Sequence, residues 1–116
     1  MAIEGKYVFV VTMDVDAEKE ALFNEVYDTE HVPLLLTVPG VRAAKRMTGV
    51  DFTIMLGGEP LQKTHQAARY LAIYEIDHPD VLKSAAWAAA GEKGRWPKEV
   101  RPFTRNRGHA VYKVRD

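Results

Sequence analysis

Tyr27 and His31 stand four residues apart in the stretch Glu25-Val26-Tyr27-Asp28-Thr29-Glu30-His31-Val32-Pro33-Leu34-Leu35. On a helix that spacing puts a phenol and an imidazole on one face. Together they can serve as an acid/base pair. His31 is the one group on this helix that ordinarily titrates near neutrality. It can abstract a proton next to a carbonyl, or protonate the carbanion left by loss of carbon dioxide. A plainer alternative makes Tyr27 a core residue and His31 a helix-end histidine bonded to a carbonyl. Asp28 is expected to form a solvated pair with His31 rather than to share a metal ion with it.

Chemistry at carbon also needs groups that hold the substrate. Tyr27, Tyr70, Tyr74 or Tyr112 can donate to an enolate or phenolate oxygen. Arg42, Arg46 or Arg69 can grip a carboxylate at two points. We assign Tyr27 and His31 to catalysis, and Arg46, Arg42, Tyr70, Tyr74 and Phe9 to substrate binding. The alternatives are strand tyrosines in the core or an interface, and strand arginines reaching solvent or a carboxylate. His31, His65, His78 and His109 show no metal-ligand spacing, so no metal is expected. Gly57-Gly58 lacks the Lys-Ser/Thr of a phosphate loop, and the only serine, Ser84, lies in a predicted helix.

Composition narrows the classes further. The 116 residues fit one domain, taken as 1–116, and 47% of them are hydrophobic, enough for a core. Sixteen basic residues cancel sixteen acidic ones, which argues against nucleic acid and anionic membrane as partners. Cysteine is absent, so there is neither a disulfide nor a thiolate metal site. The first residues lack the apolar run of a signal peptide, and Val32 to Leu36 is far too short to span a bilayer. A cytoplasmic setting is the expectation.

The elements that position the candidates follow from pattern. Lys6 to Met13 is β-branched and aromatic and predicts a central strand. Asp16 is placed to cap a helix from Ala17 to His31, which Pro33 breaks or kinks. Val41 to Thr48 predicts a more polar strand. Phe52 to Leu56 with Gly57-Gly58-Glu59-Pro60 suggests a hairpin or flap over a site. Arg69 to Ile76 is a third strand. Pro79 then opens a second helix that Gly91 or Gly94 ends. Residues 95–107 read as an extended basic loop, either pairing with carboxylates at a dimer contact or closing the pocket over an acidic ligand. Trp96 and Phe103 in it suggest single-stranded nucleic acid, which overall neutrality, Glu92 and Glu99 oppose. Gly108 to Arg115 is the last strand. Strand-helix-strand-strand-helix-strand is the ferredoxin-like βαββαβ pattern, an α+β sandwich with both helices on one face of an antiparallel four-stranded sheet.

Such a sandwich leaves one sheet face bare, yet the strands are apolar on both faces. Val8, Val10 and Thr12 oppose Tyr7, Phe9, Val11 and Met13, while Leu71 and Ile73 oppose Tyr70, Ala72, Tyr74 and Ile76. A bare apolar face predicts a second copy stacked sheet to sheet, a two-fold homodimer.

The run Tyr27-Asp28-Thr29-Glu30-His31-Val32-Pro33-Leu34-Leu35, then Val38-Pro39-Gly40-Val41, then Arg69-Tyr70-Leu71-Ala72-Ile73-Tyr74-Glu75, resembles the EthD-like branch of the dimeric α-β barrel superfamily. The closing Gly108-His109-Ala110-Val111-Tyr112 is similar too. Residues 49–68 match least. The resemblance implies a ferredoxin-like protomer, a sheet-to-sheet homodimer and a cavity between helices and sheet, with His31 at that cavity. It does not imply one reaction, because relatives include monooxygenases needing neither metal nor flavin, isomerases, cyclases and decarboxylases. The function expected is a cofactor-independent enzyme acting on a hydrophobic, aromatic acid or ketone by decarboxylation, isomerisation or cyclisation. A non-catalytic ligand-binding or accessory protein and a cofactor-free monooxygenase are the alternatives.

Overall fold

The structure is a computed structural model and describes residues 6–115. The apolar run at the start forms β1 (Tyr7–Val15), which pairs on both sides. With β2 (Val41–Thr48), β5 (Tyr70–Ile76) and β6 (Thr104–Lys113) it makes one antiparallel sheet in the order β2-β5-β1-β6. Helical segments α1 (Glu20–Val26), α2 (Val32–Leu35) and α3 (Ala85–Gly91) cover one face. Phe9, Val11, Met13, Tyr70, Ala72, Tyr74 and Ile76 meet Phe23, Val26, Tyr27, Leu35, Ala90, Trp96 and Val100 in the core between the layers. This is the ferredoxin-like α+β sandwich.

Directly opposed residues of an antiparallel ladder share a face. The other face therefore carries Val8, Val10 and Thr12 against Glu75, Ile73 and Leu71, flanked by Ala43, Lys45 and Met47 and by Tyr112, Ala110 and Gly108. No helix of the described chain packs on it, although Val8 and Glu75 are buried there. Lys45 and Glu75 interrupt an otherwise apolar surface on which Met47 is 47% and Tyr112 61% exposed.

Several boundaries differ from the sequence expectation. The break or kink expected near His31 is a wide turn, Tyr27–His31, through which α1 passes into α2. Asp16 makes no side-chain cap bond, because its carboxylate takes Arg105 instead. The second helix breaks at Ser84, whose extended backbone (φ −71°, ψ 154°) ends a 3-10 stretch, Pro79–Lys83. The Ser84 hydroxyl then accepts the Trp87 N–H at 3.1 Å and caps α3. Residues 95–107 are not an extended loop. Trp96–Val100 is a second wide turn, Arg101–Phe103 is 3-10, and Thr104 already pairs with Val15.

The least decidable stretch forms β3 (Phe52–Leu56) and β4 (Glu59–Lys63), closed by Gly57 and Gly58 at φ +61° and +83°. Positive φ at both central positions is the twist-matched turn that glycines permit. Every residue of both strands is exposed. The radius of gyration, 15.9 Å, exceeds the roughly 13 Å of a compact chain of this length, as a projecting arm requires. The arm lines no part of the His31 cavity, so it is not a flap over that site.

Candidate active site

Val32 N–H donates to Tyr27 O, five residues back, so the turn carrying the candidate pair is one residue wider than an α-turn. Pro33 explains the widening. It has no N–H, and in an α-helix its ring would press on the carbonyl four residues earlier. The turn Trp96–Val100 repeats the device: Arg101 N–H donates to Trp96 O, and Pro102 follows Arg101 as Pro33 follows Val32. The two wide turns face each other. Trp96 lies flat on His31, centroids 4.3 Å apart and planes inclined by 17°, and the Tyr27 ring meets both edge to face at 5.2 and 5.0 Å.

A second aromatic group lines the sheet. Phe9 stacks on His109 at 5.9 Å and meets Tyr74 and the α3 residue Trp87 at 5.9 and 5.8 Å. Between the groups lies a cavity of about 220 Å³. Tyr74 O–H points to Tyr27 O–H at 3.5 Å, the long limit of a hydrogen bond, where the two groups meet. Glu92, Arg101 and Arg107 supply the charges of the wall.

His31 is 9% exposed. Its Nδ1 is enclosed and has no hydrogen-bond partner among the described residues. Nε2 has none either and keeps accessible surface. Neither the expected backbone carbonyl nor Asp28 is bonded to it: Asp28 takes Arg46 at 2.8 Å. An enclosed polar atom left unpaired costs on the order of 1–3 kcal/mol, so the ring is available to a ligand at some expense to the fold. Burial above all, helped by Arg101 and Arg107 and opposed by Glu92, pushes the imidazole down to about 4. The ring is therefore neutral, and a base, at ordinary pH. Burial pushes the Tyr27 and Tyr74 phenols up, so both are O–H donors and not bases.

The structure brings together four of the residues the sequence singled out: His31, Tyr27, Tyr74 and Phe9. It places three elsewhere. Arg46 sits over the Tyr27 ring at 4.4 Å and bonds Asp28 and Asn24 in a separate cleft. Tyr70 lines that cleft and donates to Glu20 at 2.5 Å. Arg42 reaches Asp77 outside both, because a bulge between Val41 and Ala43 breaks the alternation that would have faced it with Arg46. Alternation along one strand cannot report a bulge.

Sequence reasoning passed over Trp87, weighed His109 only as a metal ligand and gave Trp96, Arg101 and Arg107 only a general role in a loop. One signal was available for Trp87, a single bulky side chain among alanines in Ala85–Gly91 that has to fill a space the others leave. The wall bearing Trp96 is pinned by Glu30, which accepts the Arg95 N–H at 2.9 Å and Arg95 Nε at 2.6 Å. Among the described residues no three His, Asp or Glu side chains are grouped as metal ligands, and no helix is long and apolar enough to cross a membrane.

No family model matches the chain, and no curated protein matches it in sequence. Solved structures do. An ethyl tert-butyl ether D (EthD) family protein from Bacillus halodurans C-125 superposes with a TM-score of 0.57 at 16% identity, covering 94% of this chain and 99% of that one. A mutant of MhuD, solved with two manganese protoporphyrin IX bound per active site, gives 0.61 at 13% identity, covering 93% of each chain. The chain thus shares the fold expected from its resemblance to EthD-like, dimeric α-β barrel proteins.

Proposed function

We propose that this protein is a cofactor-independent enzyme that moves a proton at carbon on a hydrophobic, aromatic acid or ketone, with His31 as the base. The observation that carries this is an uncharged imidazole, with no nitrogen committed to the protein, in an aromatic cavity. His31 takes the proton from carbon next to the carbonyl, and the electron pair moves onto the carbonyl oxygen. The Tyr27 and Tyr74 hydroxyls donate to that oxygen as charge develops. The imidazolium, held in a site that disfavours it, returns the proton at the same or another carbon. Isomerisation and cyclisation both start from this enolate.

Size sets the scale of the ligand. A cavity of about 220 Å³ exceeds the roughly 150 Å³ that holds one benzene ring and falls below the roughly 300–1,000 Å³ of drug-sized sites. One ring with a short side chain fits. The porphyrin bound by MhuD does not fit the cavity as it stands. The unpaired, accessible Nε2 equally suits a ligand that is held and not converted, which keeps a binding or accessory role as the second reading. The working unit in this proposal is a homodimer joined through the bare sheet faces, supported by Val10, Leu71, Ile73, Met47 and Tyr112 on that side.

Deuterium uptake tests the reaction. A panel of small aromatic acids and ketones is incubated with the protein in D₂O and read by mass spectrometry. The wild type should place deuterium at carbon in at least one compound, and His31→Gln should slow it at least about a hundredfold. Uptake that is unchanged in a folded His31→Gln overturns the proposal, and ligand retained without uptake favours the binder.

A further inference from the structure

We infer that Arg107 is the anion anchor of the cavity, and that the ligand is therefore the carboxylate of a one-ring aromatic acid and not a ketone. The inference rests on the His31 cavity being the ligand site, as proposed above, and decides between the two compound classes left open there.

Charge pairing singles out Arg107. Arg101 is engaged by both oxygens of Glu92 and by the Gly91 carbonyl. Arg95 holds Glu30 and Glu25, Arg105 holds Asp16, and Arg46 holds Asp28. Arg107 lines the cavity yet makes no hydrogen bond or ion pair among the described residues. The two histidines of the cavity, His31 and His109, are both pushed toward the neutral form, first by burial. Arg101 and Glu92 cancel, so the wall keeps one positive charge that no described group matches. A monoanion restores balance. At neutral pH an aromatic acid carries that charge and a simple ketone does not.

The backbone behind Arg107 is built in an uncommon way. Between the pairs Thr12↔Gly108 and Asp14↔Arg105, Met13 of β1 faces two residues of β6, Asn106 and Arg107. This is a β-bulge, a feature that re-aims side chains beside sites. Its Asn106 has φ +53°, the only positive φ of a non-glycine residue among those described. Asn106 Nδ2 donates to Asp14 Oδ2 at 2.8 Å, and Asp14 Oδ1 accepts the Arg69 N–H at 2.7 Å, which fixes the bulge from the neighbouring strands. A backbone conformation held at a cost, ending in a guanidinium without a counter-charge on an aromatic cavity, is what an anchor for a planar carboxylate requires. The stacked Phe9–His109 pair and Trp87 then take the ring.

The test compares phenylacetate with the neutral phenylacetamide and acetophenone by titration calorimetry and Trp fluorescence. Phenylacetate should bind wild type at least about tenfold more tightly than either neutral probe. Arg107→Gln should weaken phenylacetate about tenfold to a hundredfold and leave the neutral probes unchanged. Arg107→Lys should recover part of the loss, and Arg105→Gln, outside the cavity, none of these effects. Equal binding of charged and neutral probes, no binding of any, or equal losses in Arg105→Gln would overturn the assignment. Failure here is separable from failure of the proposed reaction. Arg107-dependent binding without His31-dependent deuterium uptake removes the reaction and keeps the anchor. Uptake into acetophenone without preference for phenylacetate removes the anchor and keeps the reaction.

Discussion

Trp96 and His31 form a parallel stack with ring centroids 4.3 Å apart, although 65 residues separate them in the chain. Each ring is carried by a wide turn whose closing residue precedes a proline, Val32 before Pro33 and Arg101 before Pro102. The indole excludes water from one face of the imidazole. Burial is the main reason the imidazole stays uncharged, and the indole supplies one wall of it.

Removing the indole should therefore change both stability and titration. Trp96 is 2% exposed, and truncating a buried tryptophan to alanine costs roughly 3–5 kcal/mol. Trp96→Ala should lose that much in urea denaturation. Trp96→Phe should keep most of the stability while moving the His31 titration back toward the ordinary histidine value, as followed by NMR.

Acid should destabilise the protein through His31. Its folded value of about 4 lies below its ordinary value of 6.5. Between those values the unfolded chain binds the proton and the folded chain does not, so stability falls as pH drops from about 6.5 to about 4 and this contribution then levels off. The full shift corresponds to on the order of 3 kcal/mol. Glu92 and Glu30, both held low by arginine hydrogen bonds, add their own acid losses as pH falls through the carboxylate range. Comparing wild type with His31→Gln in denaturant melts from pH 7 to pH 4 isolates the histidine. The variant should lose less stability over that window.

The wall bearing Trp96 and Arg101 depends on Glu30. Gly94 has φ +72°, and a Cβ there would lie 2.6 Å from Glu30 Oε1. Gly94→Ala should thus disturb both backbone and carboxylate. Faster amide hydrogen exchange over Trp96–Val100 with exchange in the central strands unchanged is the expected result. Glu30→Gln should give a milder version of it.

The bare sheet face predicts a particle of twice the 13.1 kDa chain mass in light scattering. Ile73→Arg places a charge at the middle of that face, opposite Val10 and beside Lys45. It should halve the mass while leaving the His31 side of the sheet intact. A wild type of single-chain mass at working concentrations contradicts the dimer.

Much of this was written in local pattern. The succession of strands and helices, the two-sided apolar strands and the placing of Tyr27 and His31 on one helix face all follow from periodicity and from the His-x-Pro run. What escaped was set by single residues acting across the chain. Pro33 was expected to break or kink the helix, and it does so by widening a turn, because the open turn relieves its clash. A bulge at Arg42 sent that arginine to Asp77, and another at Asn106 accompanied Arg107 on the cavity wall. The arginine on the cavity wall therefore comes from the last strand and not from the second. Residues 95–107 looked like a loop because Pro97, Pro102 and eight polar or charged neighbours mask their pairing with Glu30, Glu92 and Asp16.

The most direct measurement is an NMR pH titration of the His31 ring, assigned by comparison with His31→Gln. A ring that stays neutral down to about pH 4 is the predicted result. Titration near the ordinary value of 6.5 would mean a solvated imidazole, and the sheltered base at the centre of this account would not exist.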